Sequence, residues 1–180
     1  MDQFVKTDKV FGLLMDFQLA QLPNLINIMK KHDKKVLIHL DLIKGLASDE
    51  FAAIYLIQEL KVDGIITTKP RVVKVCKKRG VIGIMRVFLK DRHSLDQTIE
   101  LVQSTEPDLL EVLPYMPSIV KYLQSKLACS ILMGGLISTP KQVEKTLNKG
   151  VVAITTSKVE LWNHAFHPPL SNRKEEIYEI

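Results

Sequence analysis

The sequence predicts an α/β fold, a TIM-barrel-like parallel (βα) barrel lacking its first βα unit, and three observations carry that prediction. Apolar, β-branched runs alternate along the chain with segments whose apolar residues recur at helical spacing. The runs are nearly continuous in their apolar character, as strands buried on both faces require. Each run ends in a polar or glycine residue: His39-Leu40-Asp41, Thr67-Thr68-Lys69, Arg86, Glu111, Gly134-Gly135 and Thr155-Thr156-Ser157. Strand ends of this kind are where a parallel barrel gathers a ligand site.

The elements follow in order. Met1 to Lys9 reads as the tail of a helix, and the first strand is predicted at Val10–Asp16. A second strand, Val36–Asp41, leads to Ser48-Asp49-Glu50, a capping sequence for a helix with Phe51, Ile54, Tyr55 and Gln58 at helical spacing. The third strand, Gly64–Thr68, precedes a helix marked by Val72, Val75 and Cys76, which Gly80 ends. Strands at Val81–Arg86, Leu109–Leu113 and Ser130–Gly134 come next; Ser138-Thr139-Pro140 then opens a helix that Gly150 closes before a last strand at Val151–Thr156. Strand starts recur at about 23 residues on average, a period suited to right-handed βα units. Seven strands are one short of the eight that close such a barrel. The open edge between Val10–Asp16 and Val151–Thr156 is expected to favour a homo-oligomer, or filling by a partner or by the tail.

With 180 residues and 46% hydrophobic content, the chain is expected to form one domain, residues 1–163, followed by a polar C-terminal tail at 164–180. No run approaches the roughly 18 apolar residues of a membrane span, and the N-terminus lacks a signal-peptide core, so a cytoplasmic protein without membrane partners is expected. Cys76 and Cys129 lack metal-ligand spacing and read as reduced core thiols. The net charge of +5 and pI near 9.1 suit a phosphate-bearing partner, but so do many ordinary surfaces.

Chemistry concentrates at the strand ends. His39 and Asp41 share a strand face, and Asp41 is placed to accept hydrogen bonds from a polyol; alternatively, Asp41 caps its loop and His39 is a satisfied core histidine. Lys69 and Arg86 deliver two cations to one rim. Each needs a carboxylate or an anionic ligand, with Glu111 the obvious internal partner. Gly134, Gly135, Thr156 and Ser157 occupy the loops where such barrels bind phosphate, unless the glycines only make a tight turn and the hydroxyls cap a helix. A basic set at Lys74, Lys77, Lys78 and Arg79 reads either as an RNA phosphate-tracking surface or as a solvated helix end. No nucleophile elbow, HExxH, Walker or GxGxxG motif is present, so no catalytic residue, metal site or cofactor is assigned.

Six blocks occur in order: His39-Leu-Asp-Leu-Ile-Lys-Gly-Leu46, Asp63-Gly-Ile-Ile-Thr-Thr-Lys69, Arg86-Val-Phe88, Glu111-Val-Leu-Pro114, Gly134-Gly-Leu-Ile137, and Thr155-Thr-Ser157 with Leu161-Trp162. Together they resemble the glycerol uptake operon antiterminator family, the glycerol-3-phosphate-responsive regulators. The resemblance implies a TIM-barrel-like sensor of glycerol 3-phosphate that binds the leader mRNA of a glycerol-catabolic operon and prevents transcription termination. Carried over by position, Asp41, Lys69, Arg86 and Glu111 would face the glycerol end, while Gly134, Gly135, Thr156 and Ser157 would hold phosphate. The chain departs from the family in beginning after the usual Ile-Ile-Pro-Ala-like first strand, and in Met85, Tyr115 and Thr67, which stand where glutamine, glycine and serine are usual. The alternative is a phosphosugar enzyme of isomerase, epimerase or aldolase type, in which Lys69 would form a Schiff base.

Overall fold

Seven parallel strands appear in sequence order in a single curled sheet, described by a computed structural model over residues 1–163. They are β1 Phe11–Leu14, β2 Lys35–His39, β3 Gly64–Thr67, β4 Ile82–Phe88, β5 Leu109–Leu113, β6 Ser130–Gly134 and β7 Ala153–Thr155. Helices α1 Leu22–Lys31, α2 Glu50–Gln58, α3 Pro70–Lys78, α4 Arg92–Thr105, α5 Val120–Gln124 and α6 Pro140–Leu147 return the chain between strands, and a short α7, Val159–Trp162, follows β7. Among the described residues, β1 pairs only with β2 and β7 only with β6, so the sheet is a half-barrel. The predicted tail, 164–180, lies outside the described residues.

The expected helix tail before β1 is a 3-10 turn at Phe4–Lys6, its ring Phe4 packed edge-on against Trp162 with centroids 5.9 Å apart. Helix starts follow the predicted capping chemistry. Asp49 accepts from Ala52 N, and Thr139 and Gln142 cap each other reciprocally at α6. Gly80 and Gly150 leave their helices with φ of +68° and +90°, the left-handed exits expected of glycine. At the strand starts, Asp63 Oδ2 accepts from Val36 N at 2.7 Å and Asp108 Oδ2 from Gly83 N at 2.8 Å. Each carboxylate thereby ties the start of its own strand to a neighbour.

Two apolar clusters fill the space between sheet and helices, and a third lies inside the curl. That inner cluster comprises Phe11, Leu37, Ile66, Ile84, Leu109, Leu132 and Ala153. Because side chains alternate faces along a strand, residues two further on point to the same interior. Those residues are Leu13, His39, Thr68, Arg86, Glu111, Gly134 and Thr155. An apolar layer is thus overlaid by a mostly polar one at the C-terminal ends of the strands, the end at which parallel barrels bind ligands.

Candidate functional site

Arg86 and Glu111 stand directly opposite each other in the register of β4 and β5. Arg86 Nε donates to Glu111 Oε2 at 2.5 Å, with Arg86 8% exposed and Glu111 fully buried. Arg86 was expected to end its strand, yet β4 continues to Phe88, because the charge finds its partner inside and the ladder runs on through Val87 and Val112. The second carboxylate oxygen, Glu111 Oε1, accepts from Thr155 Oγ1 at 2.6 Å. Gly134 makes room for that bond: a Cβ there would lie 2.2 Å from Thr155 Oγ1 and 3.1 Å from Glu111 Oε1. Its place is therefore within the polar layer, as the gap that Thr155 and Glu111 bridge, while the turn belongs to Gly135, at φ +74°, and to Leu136, a left-handed non-glycine 83% exposed.

Asp41 sits in a 3-10 turn, Leu40–Leu42, immediately after β2. Its carboxylate accepts from Thr67 Oγ1 at 2.6 Å, from Thr68 N at 2.7 Å and from Thr68 Oγ1 at 2.7 Å. Desolvation pushes the carboxyl upward, but these hydrogen bonds and nearby His39 outweigh it and hold the pKa below its ordinary value. Asp41 thus locks the loop after β3 rather than capping its own. Lys69, expected at the end of the third strand, is the exposed N-cap residue of α3, since β3 ends at Thr67 and the chain has already turned.

A cavity of about 820 Å³ opens between β1 and β7 and reaches the polar layer. Arg86, Gly135, Thr155, Thr156 and Ser157 contribute to its lining, together with an apolar wall that includes Phe11, Leu13, Ala153 and Ile154. Glu111 and Gly134 stand behind Arg86 and Thr155; Asp41 and Lys69 are not part of the lining. The predicted residues that converge on one space are therefore Arg86, Gly135, Thr156 and Ser157. Thr156 and Ser157 follow β7 in the loop leading to α7, the place of the short extra helix in barrels that hold phosphate. Thr156 Oγ1 donates to Ile137 O at 3.0 Å and accepts from Lys158 N at 3.1 Å, which joins the loops after β6 and β7. Trp162 Nε1 donates to Thr156 O at 2.9 Å, anchoring α7 to the same loop.

Thr155 was read only as part of the Thr155-Thr156-Ser157 strand end and given no place among the site residues, although it completes the Glu111 network. Of three consecutive hydroxyl residues, only alternate ones face inward, and the pairing of Gly134 with Thr155 shows which. His39 is 2% exposed and faces the interior, but it is not the satisfied core histidine of the alternative reading: neither ring nitrogen has a hydrogen-bond partner.

The basic residues Lys74, Lys77, Lys78 and Arg79 are all exposed on α3 or at its C-terminal end. Since α3 runs back from the C-terminal to the N-terminal ends of the strands, that end lies at the opposite rim from the loops that carry Gly135, Thr156 and Ser157. Lys77 Nζ pairs with Glu106 Oε2 at 2.7 Å. Elsewhere, Lys30 and Lys34 are occupied by backbone carbonyls of Leu60, Lys61, Thr7 and Lys9. Among the described residues there is no group of three or more His, Cys, Asp or Glu arranged to hold a metal, and no helix long and apolar enough to cross a membrane.

A family model described as glycerol-3-phosphate responsive antiterminator matches residues 1–162. The glycerol uptake operon antiterminator regulatory protein of Listeria monocytogenes str. 4b F2365 is 33% identical, with a TM-score of 0.86 over 90% of this chain and 88% of that one. A glycerol uptake operon antiterminator-related protein of Thermotoga maritima MSB8 is 28% identical, with a TM-score of 0.81 over 91% of this chain and 94% of that one. The uncharacterized protein YgcP of Escherichia coli K12 is 29% identical over 148 residues, 82% of this chain and 78% of that protein. Orotidine 5'-phosphate decarboxylase of Pyrococcus horikoshii OT3, 16% identical with a TM-score of 0.61, covering 84% of this chain and 79% of that one, shares the fold alone.

Proposed function

The chain belongs to the glycerol-3-phosphate responsive antiterminator family, and from that premise we propose that it is a cytoplasmic regulator that binds glycerol 3-phosphate and, so loaded, binds a leader mRNA and prevents transcription termination. The observation that carries this reading is the convergence of a buried arginine with the loops after β6 and β7 on one part of the cavity that runs along the open edge between β1 and β7. A phosphate there meets the Arg86 guanidinium, Thr156, Ser157 and the backbone of the Gly135 turn. The glycerol end lies toward Glu111, with Asp41 and Lys69 at the outer rim of β2 and β3. Gly134 acts indirectly, by letting Thr155 hold Glu111 in place.

The RNA surface in this reading is the exposed end of α3, with Lys74, Lys78 and Arg79 as exposed cations and Lys77 partly neutralised by Glu106. Ligand that binds the RNA-competent conformation more tightly shifts the population toward it. Two measurements test the proposal. Glycerol 3-phosphate at 100 times its dissociation constant stabilises the fold by about 2.7 kcal/mol, read as a rise in melting temperature. Leader RNA then binds with an affinity that falls steeply with salt, and Lys78→Ala costs more affinity than Lys77→Ala because Glu106 already occupies Lys77. A melting temperature indifferent to the ligand would sink the sensor reading, and salt-insensitive RNA binding would sink the surface.

A further inference from the structure

Every residue of β1, Phe11–Leu14, and of β7, Ala153–Thr155, lines the cavity between them. Side chains alternate faces along a strand, so a space that touches consecutive residues lies along the strand's edge rather than against one face. The layers on either side of that gap are nonetheless in place. Phe11 and Ala153 of the inner apolar cluster stand on one side. On the helix side, Phe4 from ahead of β1 meets Trp162 from beyond β7, edge-on at 5.9 Å between ring centroids. Among the described residues, β1 pairs with β2 and β7 with β6 alone. The gap thus has the lining of one more parallel strand, apolar toward both faces and bordered by backbone along both edges.

We propose that Glu176-Ile177-Tyr178-Glu179-Ile180 supplies this strand, entering between β7 and β1 parallel to both and closing the curled sheet. The segment lies outside the described residues, and three observations assign it to the gap. The first is its pattern. In β5, Leu109 and Glu111 face the interior while Leu110 and Val112 face the helices, directly after the carboxylate of Asp108. Ile177-Tyr178-Glu179-Ile180, directly after Glu176, repeats that order of apolar, apolar, glutamate, apolar. The second is length and point of departure. The chain leaves the described part at α7, whose Leu161 and Trp162 line the cavity, and residues 164–175 provide the dozen or so that a crossover between parallel strands takes. Fully extended they reach about 40 Å, well beyond a strand height of about 17 Å. The third is charge: Lys9, just ahead of β1, lines the end of the cavity at which Glu176 enters. In this register Ile177 lies level with Phe11 and Ala153, and Glu179 level with Leu13 and Thr155. The strand fills the apolar stretch of the cavity and leaves open the end formed by Arg86, Thr156 and Ser157, so the inference holds whether or not that end takes a phosphate ester.

The test is register-specific cross-linking in the full chain. Ala153→Cys combined with Ile177→Cys is expected to form an intrachain disulfide on mild oxidation, because level residues on adjacent strands lie within disulfide reach. Ala153→Cys combined with Tyr178→Cys, whose side chains face opposite sides, is expected to form at least about tenfold less. Burial pushes the native Cys76 thiol up to about 12 and raises that of Cys129, so neither competes at neutral pH. A second readout uses the unaltered chain and is indifferent to whether a variant folds. The amides of residues 177–180 should exchange with deuterium, followed by NMR, at least about a hundredfold slower than in a free peptide of residues 170–180. They should still exchange faster than those of β4 and β5, since the neighbouring β1 and β7 are short. Free-peptide exchange rates, or equal disulfide yields from the two cysteine pairs, would overturn the proposal. A disulfide of the expected register that joins two chains, seen as a dimer on a non-reducing gel, would assign the strand to a second copy and overturn it equally.

Discussion

Glu111 holds two groups at once, and its complete burial makes the Arg86 partnership a matter of stability as well as binding. Removing one member of a buried pair strands the other charge at a cost of about 3–5 kcal/mol. Arg86→Ala is therefore expected to lower the ligand-free urea midpoint sharply as well as to abolish ligand affinity. Gly134→Ala attacks the same network from below, because its methyl group would occupy the place of Thr155 Oγ1. A loss of ligand affinity with Arg86 intact is expected from that variant, measured by calorimetry. His39 contributes a pH signature. Burial, then Arg86, depress its pKa from the ordinary 6.5, so above that value the ring is neutral in folded and unfolded chains alike. As pH falls below 6.5, the unfolded chain takes up a proton that the folded chain refuses, and stability drains away until the folded ring also titrates. Asp41 adds a separate loss that begins only near its ordinary 3.8, as pH falls toward its depressed folded value. Melting curves between pH 7.5 and 5 should fall for wild type and stay flatter for His39→Phe; equal slopes would remove His39 as the cause.

The strands were largely legible, and their boundaries show why legibility ends where it does. Leu109–Leu113 and Ser130–Gly134 were read to the residue, because each apolar run there is bounded by polar or turn-forming chemistry. β4 was read as ending at Arg86 because a charge looks like a terminus even with Glu111 named as its partner; the register sets that partner directly beside it within the sheet, where the strand need not stop. Lys69 misled in the opposite way, since the Thr67-Thr68 turn under Asp41 had already taken the chain out of the sheet. The hydrogen bonds of Thr67, Thr68 and Thr155 escaped the sequence reading because their partners lie 26, 27 and 44 residues away. Long-range pairing also governs the strand starts. Asp63→Ala leaves Val36 N without its acceptor, and a loss of about 1–3 kcal/mol is expected in urea unfolding.

For the whole molecule, parallel pairing grades cohesion from the middle of the sheet to its sides. β4 has a strand on each flank and its longest ladder with β5, whereas β1 and β7 each pair once among the described residues. Native-state hydrogen exchange should therefore be slowest in β4 and β5 and fastest in β1 and β7, with added glycerol 3-phosphate slowing β7 most, since its loop meets the phosphate in the proposed site. The convergence of Arg86 with the loops after β6 and β7 was foreseeable from the barrel principle, whereas the position of the cavity depends on the side of the sheet that β1 and β7 leave unpaired. The stacking of a polar tier on an apolar one, two residues apart along the strands, has a final corollary for the tolerance of this chain to length changes. Inserting or deleting a single codon inside β4 ahead of Arg86 would rotate the guanidinium out among the helices and carry Met85 or Val87 into its place beside Glu111. Changes of that kind should survive in the loops at the N-terminal rim and be purged from the strands.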